Sequence, residues 1–284
     1  MDIKIEKLVE IALSEDSYNN DITSNTLIDK NHIISGNFIS KSSGVVSGIN
    51  VVNQVFKRTS NKLEFVILKK DGSFVNKGDV IAYVKGPSRD ILRSVQTASN
   101  FLQKLSGIAS ITNKFVQEIK GTKCNILDTR NNTPLYKELE KKAVRDGGGL
   151  NSRTSLNDYF VITTNHIAII GDIKYAVELA KVKAQMYDKL TIEVEVENKN
   201  EYLEALETEA DFITLVNMNL DEIKELVKLN NKKKKLAVKG NITLTKVRSY
   251  ALTGVDYIYI DILNNYKNLE IDFRFYKRLK KWKY

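Results

Sequence analysis

Two arginines around a glycine run form the first pattern with chemical meaning. Arg130 and Arg153 flank Gly147-Gly148-Gly149. Arginine offers a planar fork of N–H donors that suits a carboxylate or a phosphate, and glycines let backbone amides come close to an anion. The pattern therefore predicts a pocket for an anionic small molecule. The alternative is a solvated loop with surface arginines.

Alternating glutamates form the second pattern. Glu193, Glu195 and Glu197 stand in the run IEVEVE. Because side chains alternate across a strand, the three carboxylates are expected on one face. A carboxylate that faces an arginine or a Mg²⁺–phosphate group would be catalytic. A row of ion pairs with nearby lysines is the other interpretation, and the pattern leaves both open.

Polar residues at a constant spacing indicate how these groups are positioned. Glu195, Asn217, Lys239 and Asp261 follow one another at intervals of 22 residues, each near the end of an apolar run. The period suggests equivalent positions in a β/α barrel, whose carboxyl strand ends carry the chemistry. The same reasoning selects further rim residues: Asp128, Thr129, Thr163, Thr164, Asn165, His166, Gly240 and Asn241.

The elements of the second half alternate between strand and helix. The apolar runs are CNILD, DYFVIT, LTIEVEV, DFITLV, KLAV and DYIYI. The segments between them include IKYAVELAKVKAQM, NEYLEALETE and LDEIKELVKLN. This alternation predicts parallel β/α units. Cys124 begins the first run and is expected in the core.

The first half mixes helix and strand. Lys4–Leu13 has helical apolar spacing. The segments NHIISGNFIS, SGVVSGI, LEFVILK and DGSFVNKGDVIAYVKGP are typical of strands and hairpins. A helix is predicted from about Ser88 to Gln117, with a break at Ser106-Gly107. We expect an N-terminal domain over 1–107, a site-bearing domain over 108–268, and a tail over 269–284 that could pack on the first domain.

Composition limits the class of protein. The 284 residues are 42% hydrophobic and 28% charged, which is typical of a folded chain. One cysteine excludes an intrachain disulfide, and two histidines argue against a His-rich zinc site. No apolar stretch approaches a membrane span and the N-terminus lacks a signal-peptide core, so the cytoplasm is expected.

The net charge of +9 is concentrated at 232–235 and 273–284. This distribution favours a solvated loop and tail. Nucleic-acid or membrane-surface binding through the tail, with Trp282, is a weaker hypothesis.

An ordered set of motifs resembles the quinolinate phosphoribosyltransferase family, also called nicotinate-nucleotide pyrophosphorylase (carboxylating). The set comprises EDSYNNDITS, SGVVSG, NFLQKLSGIAS, DTRNNTP, KKAVRDGGGLNSR, NHI, IEVEVEN, LVNM and TGVDYI. The resemblance implies a type II phosphoribosyltransferase of the α/β class, with an N-terminal α/β sandwich domain and a C-terminal incomplete β/α barrel. It also implies a homodimer or larger assembly in which one subunit completes the other's site.

The resemblance also implies an activity. In that family quinolinate and phosphoribosyl pyrophosphate, with Mg²⁺, give nicotinate mononucleotide, pyrophosphate and carbon dioxide, a step of pyridine nucleotide (NAD) biosynthesis. Glu195 is the implied catalytic carboxylate, facing the ribosyl cation. The implied substrate-binding residues are Thr129, Arg130, Arg153, Asn165, His166 and Asn217. The implied phosphate-binding residues are Lys239, Gly240, Asn241 and Asp261. Small anionic substrates are the expected partners.

The chain departs from the family pattern at several of these positions. Gln96 stands where the family has the arginine donated to the neighbouring subunit. Lys239 replaces the serine of a phosphate-binding SGG motif. The remaining departures are Asn131 for lysine, Ser152 for histidine, Thr163-Thr164 for Lys-Asp and Val216 for aspartate. Two hypotheses follow. The first is a phosphoribosyltransferase that uses quinolinate or a different acceptor. The second is a catalytically impaired paralogue that binds an anionic ligand or an active relative.

Overall fold

The chain forms two compact units in a computed structural model that describes residues 3–16, 20–187 and 191–276. The first unit contains the residues up to Ile111, Thr133–Gly148 and the residues from Asn265. The second contains Thr112–Asn132 and Gly149–Asn264. These units differ from the expected domains chiefly in segment 133–148, which lies within the expected second domain but belongs to the first unit.

Helices and strands are numbered in chain order. The helices are α1 Ile3–Glu15, α2 Ile22–Leu27, α3 Ile49–Thr59, α4 Ser88–Glu118, α5 Lys137–Asp146, α6 Thr164–Ile170, α7 Ile173–Ala184, α8 Lys199–Leu206, α9 Leu220–Asn230 and α10 Val247–Ala251. The strands are β1 Ile33–Ser40, β2 Gly44–Val45, β3 Glu64–Ile67, β4 Phe74–Val75, β5 Val80–Pro87, β6 Asn125–Leu127, β7 Phe160–Ile162, β8 Ile192–Val196, β9 Phe212–Val216, β10 Lys235–Lys239, β11 Tyr257–Tyr259 and β12 Ile271–Phe275.

The first unit is built on an antiparallel sheet with the strand order β12-β1-β5-β3. Its core contains a row of aromatic rings, in which Phe38 lies 6.1 Å from Phe56 and 4.9 Å from Phe273 between ring centroids. The C-terminal strand β12 therefore belongs to the sheet that the N-terminal half begins. The predicted helix over Lys4–Leu13 is confirmed as α1.

Helix α3 was not expected from the sequence. SGVVSGI was predicted as a strand, but only Gly44–Val45 is extended and the helix begins at Ile49. The N–H of Ile49 donates to Asp71 Oδ1 at 2.9 Å, so the residue that caps this helix is distant in sequence. Gly48, at φ +92°, makes the left-handed entry that a bulkier residue would resist.

Helix α4 is continuous, so the predicted break at Ser106-Gly107 is wrong. Ser106 Oγ accepts a hydrogen bond from the buried N–H of Ser47 at 3.0 Å. A Cβ on Gly107 would lie 2.3 Å from the carbonyl oxygen of Lys267. These two small residues therefore allow close packing on the helix and do not interrupt it.

Helix α5 is held in the first unit by charge. Lys142 Nζ lies 2.7 Å from both Asp71 Oδ2 and Asp146 Oδ2, and Ser47 Oγ donates to Asp146 at 2.6 Å. These contacts explain why segment 133–148 groups with the N-terminal residues.

The second unit is a parallel sheet with the strand order β6-β11-β10-β9-β8-β7. All six predicted strands are confirmed, and helices α7 to α9 connect them as expected. Every residue of β8 is buried, as in parallel strands covered on both faces. β6 and β7 are the two edges, so the six strands do not close on themselves, as predicted for an incomplete barrel. Cys124 is buried, as predicted.

Residues just after 148 run beside the free edge of β6. Leu150 N–H donates to Ile126 O at 2.8 Å, and Asp128 N–H donates to Leu150 O at 3.2 Å. This single parallel bridge places the following loop, which carries Arg153, at the end of β6.

Local sequence signals start the helices of the second unit. Asp172 accepts from the N–H of Tyr175 at the start of α7, and Asn198 accepts from Glu201 at the start of α8. Side-chain oxygens in these positions satisfy N–H groups that have no partner inside the helix. Within the described residues, no helix is both long and apolar enough to cross a bilayer.

We predict that Gly107→Ala destabilises the protein. Overpacking costs about 1–3 kcal/mol, while alanine gains at most about 1 kcal/mol of helix propensity. Because the new Cβ would meet backbone, we expect the free energy of unfolding, measured by urea denaturation, to fall by up to about 2 kcal/mol. Lys114→Ala, at an exposed position of the same helix, is the control and should change it by less than about 0.5 kcal/mol. A Gly107→Ala variant more stable than the parent would contradict the prediction.

Candidate active site

A cavity of about 180 Å³ lies in the second unit at the carboxyl ends of the strands. It is lined by Thr129, Arg130, Ser152, Arg153, Tyr159, Val161, Thr163, Glu193, Glu195, Lys239 and Tyr259. Five of the predicted site residues are therefore together: Thr129, Arg130, Arg153, Glu195 and Lys239.

Of the residues predicted to form an anion pocket, the structure brings the two arginines together without Gly147 and Gly148. Arg130 and Arg153 line the cavity. Gly147 N–H donates to Ala143 O at 3.0 Å, and Gly148 N–H donates to Arg145 O at 2.9 Å. The first two glycines therefore end helix α5, and their amides are used by the helix. The prediction that they approach the anion is wrong for Gly147 and Gly148.

Glu195 and Lys239 form an ion pair at the centre of the lining. Lys239 Nζ lies 2.6 Å from Glu195 Oε1, and the side chains are 42% and 8% exposed. An unpaired buried carboxylate would be costly, so the lysine compensates the glutamate. An ammonium group has three N–H donors, and this contact uses one. The pair therefore places both a carboxylate and a cation against the cavity.

Asp128 fixes the loop that carries Arg153. Its carboxylate is 5% exposed and directly follows β6. It accepts hydrogen bonds from Ser152 N–H at 2.7 Å, from Ser152 Oγ at 2.9 Å and from Asn151 Nδ2 at 2.8 Å. The sequence predicts Asp128 among the residues at the strand ends but assigns it no function. Its role here is to position the residues beside it.

Asp158 organises the far side of the same loop. Its carboxylate accepts from Thr154 N–H, Thr154 Oγ1, Ser155 N–H and Ser155 Oγ. Hydrogen bonds from the hydroxyls of Ser155 and Thr154 hold the pKa of Asp158 well below its usual range. Arg153 is therefore presented by a loop that is tied at both ends.

Glu193 lines the cavity and accepts hydrogen bonds from hydroxyl groups. It accepts from Thr214 Oγ1 at 2.5 Å, from Tyr259 OH at 3.1 Å and from Tyr159 OH at 3.3 Å. Burial raises the pKa of Glu193, and the nearby charge of Glu195 raises it further. Glu193 and Glu195 share one face, as predicted, whereas Glu197 lies beyond the end of β8 and is exposed.

Asn217 and Asp261, two of the four residues spaced 22 positions apart, do not line the cavity. In the strand register, Glu195 pairs with Thr214 and Lys239 pairs with Val216. Residues spaced 22 apart in sequence therefore do not lie at the same level in neighbouring strands. Asn217 therefore falls past the end of β9, at φ +55°, where its N–H donates to Lys239 O at 2.9 Å.

The neighbouring loops pack tightly. A Cβ on Gly240 would lie 2.9 Å from Asn217 Oδ1, so glycine is needed for this close approach. Asp261 Oδ2 accepts from the side-chain amides of Asn131 and Asn264, each at 2.6 Å. Asn241 is exposed and also lies outside the cavity lining. The phosphate-binding roles of Gly240, Asn241 and Asp261 stay predictions.

Asn165 and His166 lie on the exposed first turn of α6. Thr163 N–H donates to His166 Nδ1 at 3.0 Å, and Thr163 Oγ1 lies 2.8 Å from the same nitrogen. His166 therefore caps the helix that follows β7, and neither residue lines the cavity. Their substrate-binding roles stay predictions.

Gln96 lies in the first unit on helix α4. Its side chain is exposed, and its Nε2 donates to Asn100 Oδ1 at 2.9 Å. Its contribution to a neighbouring subunit stays a prediction. The tail beyond 276, including Trp282, lies outside the described residues.

Sequence reasoning missed the tyrosines of the lining. Tyr159 and Tyr259 lie in the predicted strand runs DYFVIT and DYIYI, and their hydroxyls reach Glu193. An aromatic residue in an apolar run usually packs in the core, so only the tyrosine hydroxyl group could have indicated a position at the site.

We predict that the contribution of Asp158 to stability is lost in acid. A carboxylate whose pKa is lowered on folding stabilises the protein above its ordinary pKa of 3.8 and loses that contribution as pH falls. Asp158→Asn should therefore be less stable than the parent at neutral pH, and the difference should shrink as pH falls below about 4. Urea unfolding across this pH range measures it, and a difference that stays constant would contradict it.

Comparisons with known proteins agree with this architecture. The sequence matches the domain described as "Quinolinate phosphoribosyl transferase, N-terminal domain" over residues 21–106. It matches the domain described as "Quinolinate phosphoribosyl transferase, C-terminal domain" over residues 108–275.

Similar proteins match most of the chain. A probable nicotinate-nucleotide pyrophosphorylase [carboxylating] of Bacillus subtilis is 33% identical over 270 residues, covering 95% of this chain and 92% of the relative. A protein of the same description from Methanocaldococcus jannaschii is 34% identical over 268 residues, covering 91% and 92%. The solved nicotinate-nucleotide pyrophosphorylase of Ehrlichia chaffeensis superposes with a TM-score of 0.91 at 34% identity, covering 97% of this chain and 100% of that one. With both domains matched in order, the chain belongs to the quinolinate phosphoribosyl transferase family.

Proposed function

We propose that this protein transfers a phosphoribosyl group to a pyridine carboxylate, with quinolinate as the first candidate acceptor. The products would be nicotinate mononucleotide, pyrophosphate and carbon dioxide. The observation that carries the proposal is one cavity at the strand ends, lined by Arg130, Arg153, Lys239 and Glu195. Family membership and the names of the relatives support the same reaction.

The two arginines suit the acceptor. Quinolinate carries two carboxylates, and Arg130 and Arg153 supply two forked cations to one cavity. Arg153 lies on the loop that Asp128 and Asp158 fix, so ligand binding needs to order little more of this loop. We assign both arginines to the acceptor's acidic groups.

The ion pair suits the donor. As pyrophosphate leaves, the ribosyl carbon becomes cationic, and a fixed carboxylate beside it lowers the barrier. Glu195 supplies that carboxylate. Lys239, 2.6 Å away, supplies a cation for the phosphate groups. We assign Lys239 to a phosphate because the family serine at this position has become a positively charged residue.

The substitutions exchange charges and preserve their sum. Relative to the family pattern, three cations are lost at 96, 131 and 163, and two anions are lost at 164 and 216. One cation is gained at Lys239. The summed formal charge of these six positions is therefore unchanged. This favours an active site whose charges have been rearranged over one that has lost its activity. The histidine replaced by Ser152 is neutral in this count.

Mg²⁺ fits this proposal as part of the substrate. Within residues 3–16, 20–187 and 191–276, no three Asp, Glu, His or Cys side chains form a group that could hold a metal. Mg²⁺ is commonly bound through substrate phosphates with few protein ligands. We therefore propose that it would arrive with phosphoribosyl pyrophosphate, without a cage of this chain's own residues.

The cytoplasm and a homodimer complete the proposal. Phosphoribosyl pyrophosphate is an intracellular metabolite, and the family resemblance implies that one subunit completes the other's site. Gln96 would stand at the position of the donated arginine. An amide there could donate a hydrogen bond to a phosphate but supplies no charge.

We predict that Arg130→Ala lowers the rate of nicotinate mononucleotide formation by roughly 10- to 150-fold. This is the effect of losing one hydrogen bond to a charged group, about 1.5–3 kcal/mol. The assay supplies quinolinate, phosphoribosyl pyrophosphate and Mg²⁺. Arg274→Ala, on the exposed part of β12, is the control and should leave the rate unchanged.

The same assay decides between the hypotheses. Turnover in the parent that is unaffected by Arg130→Ala would remove the assignment of this arginine. A parent without turnover, but stabilised against heating by phosphoribosyl pyrophosphate, would indicate a different acceptor. A parent with neither response would favour the impaired paralogue.

We predict that Lys239→Met weakens phosphoribosyl pyrophosphate binding by roughly 10- to 150-fold, since one charged contact is lost. Titration calorimetry with this ligand measures the dissociation constant. Lys228→Met, at an exposed position of α9, is the matched control. Unchanged affinity in Lys239→Met would limit the lysine to its pair with Glu195.

A further inference from the structure

Two cavities of the second unit share a wall. The candidate active site lies at the carboxyl ends of the strands, and a second cavity of about 540 Å³ is lined by residues at the strand starts, including Thr191 and Asp211. The residues common to both are Ser152, Tyr159, Glu193 and Tyr259. Glu193 and the two tyrosines therefore lie between the candidate active site and the cavity at the strand starts.

The shared wall is a connected set of hydrogen bonds. Tyr259 OH lies 3.1 Å from both carboxylate oxygens of Glu193, and Tyr159 OH lies 3.3 Å from Oε2. Thr214 Oγ1 donates to Oε1 at 2.5 Å. Glu193 is 1% exposed and is compensated by hydroxyl groups. A carboxyl group in such a setting favours its neutral, protonated form.

The surroundings of these groups favour their protonated forms. Burial raises the pKa of Glu193, and burial also raises the pKa of Tyr159 to about 12. The tyrosine therefore keeps its proton near neutral pH. The charged groups that face this wall are Glu195, Arg130, Arg153 and Lys239 on the upper side, and Asp211 and Lys235 on the lower side.

The proposed reaction needs a proton at this place. After phosphoribosyl transfer, the bond between the ring carbon and its carboxylate breaks and carbon dioxide leaves. The electron pair of that bond stays on the ring carbon, which must then take a proton. A substrate that fills the upper cavity would hinder water on that side, so a proton from the floor of the cavity has the shorter path.

We propose that Glu193 stores this proton and delivers it through a tyrosine hydroxyl, with the lower cavity as its source. Tyr159 or Tyr259 gives its O–H proton to the ring carbon, and the tyrosine oxygen takes the proton of Glu193. Water in the lower cavity then reprotonates Glu193. In sum, one solvent proton replaces one carbon dioxide. The inference rests on the proposed function.

The test compares the two products of each turnover. Glu193→Gln keeps the size of the side chain and one acceptor oxygen but has no transferable acid proton. We expect pyrophosphate release in the first turnover to be retained, while carbon dioxide release slows by about 100-fold, the scale of general acid catalysis. A mononucleotide that retains both carboxylates should accumulate. Glu193→Asp, which restores the acid, should recover most of the carbon dioxide release.

Each other outcome has a definite meaning. Pyrophosphate and carbon dioxide released together at the parent rate in Glu193→Gln would overturn the relay and leave the proposed function standing. An equal loss of both products would reduce Glu193 to a structural role and also overturn the relay. A parent that releases neither product overturns the proposed function and the relay with it.

A second variant covers a failure to fold. If Glu193→Gln is not recovered as a folded protein, the double variant Tyr159→Phe/Tyr259→Phe keeps Glu193 and removes both hydroxyl carriers. The same lag of carbon dioxide behind pyrophosphate is expected. Equal release at the parent rate would overturn the relay.

Discussion

The structure of the site depends on two carboxylates that one buried strand places on the same face. Glu193 and Glu195 are two residues apart on β8, and both are almost inaccessible. Two uncompensated negative charges at this separation would be too costly in a protein interior. The second unit solves this in two ways. Lys239 pairs with Glu195, and hydroxyls from three other segments surround Glu193. Glu195 thus has an ionic partner, whereas Glu193 is surrounded by neutral hydroxyl groups.

The strand pattern and part of the site could be predicted from the sequence. Parallel strands buried on both faces appear as continuous apolar runs, so all six strands of the second unit were found. The residues at their carboxyl ends converge because parallel strands end at one edge. Arg130, Glu195 and Lys239 follow this rule, whereas Arg153 reaches the cavity from the loop after the Leu150 bridge. The constant spacing of 22 residues was less informative, because neighbouring strands are staggered and Asn217 falls beyond the cavity.

What the sequence did not indicate depends on contacts that residue type alone does not reveal. Helix α3 is capped by Asp71, so no local residue marks its start. Gly107 looks like a helix break until the carbonyl of Lys267 is found against it. The glycines at 147 and 148 look like an anion loop, but their amides end helix α5. For helix α3 and Gly107 the deciding partner is distant in sequence, whereas for the two glycines it lies within four residues.

The bridge between Leu150 and β6 links activity to solubility. An edge strand with open N–H and C=O groups is a template for pairing with other chains, and proteins commonly cover such edges. Here the segment that leads to Arg153 covers part of the edge of β6, through hydrogen bonds of Leu150 with Ile126 and Asp128. Substitutions that loosen this segment would therefore misplace the arginine and uncover an aggregation-prone surface at the same time.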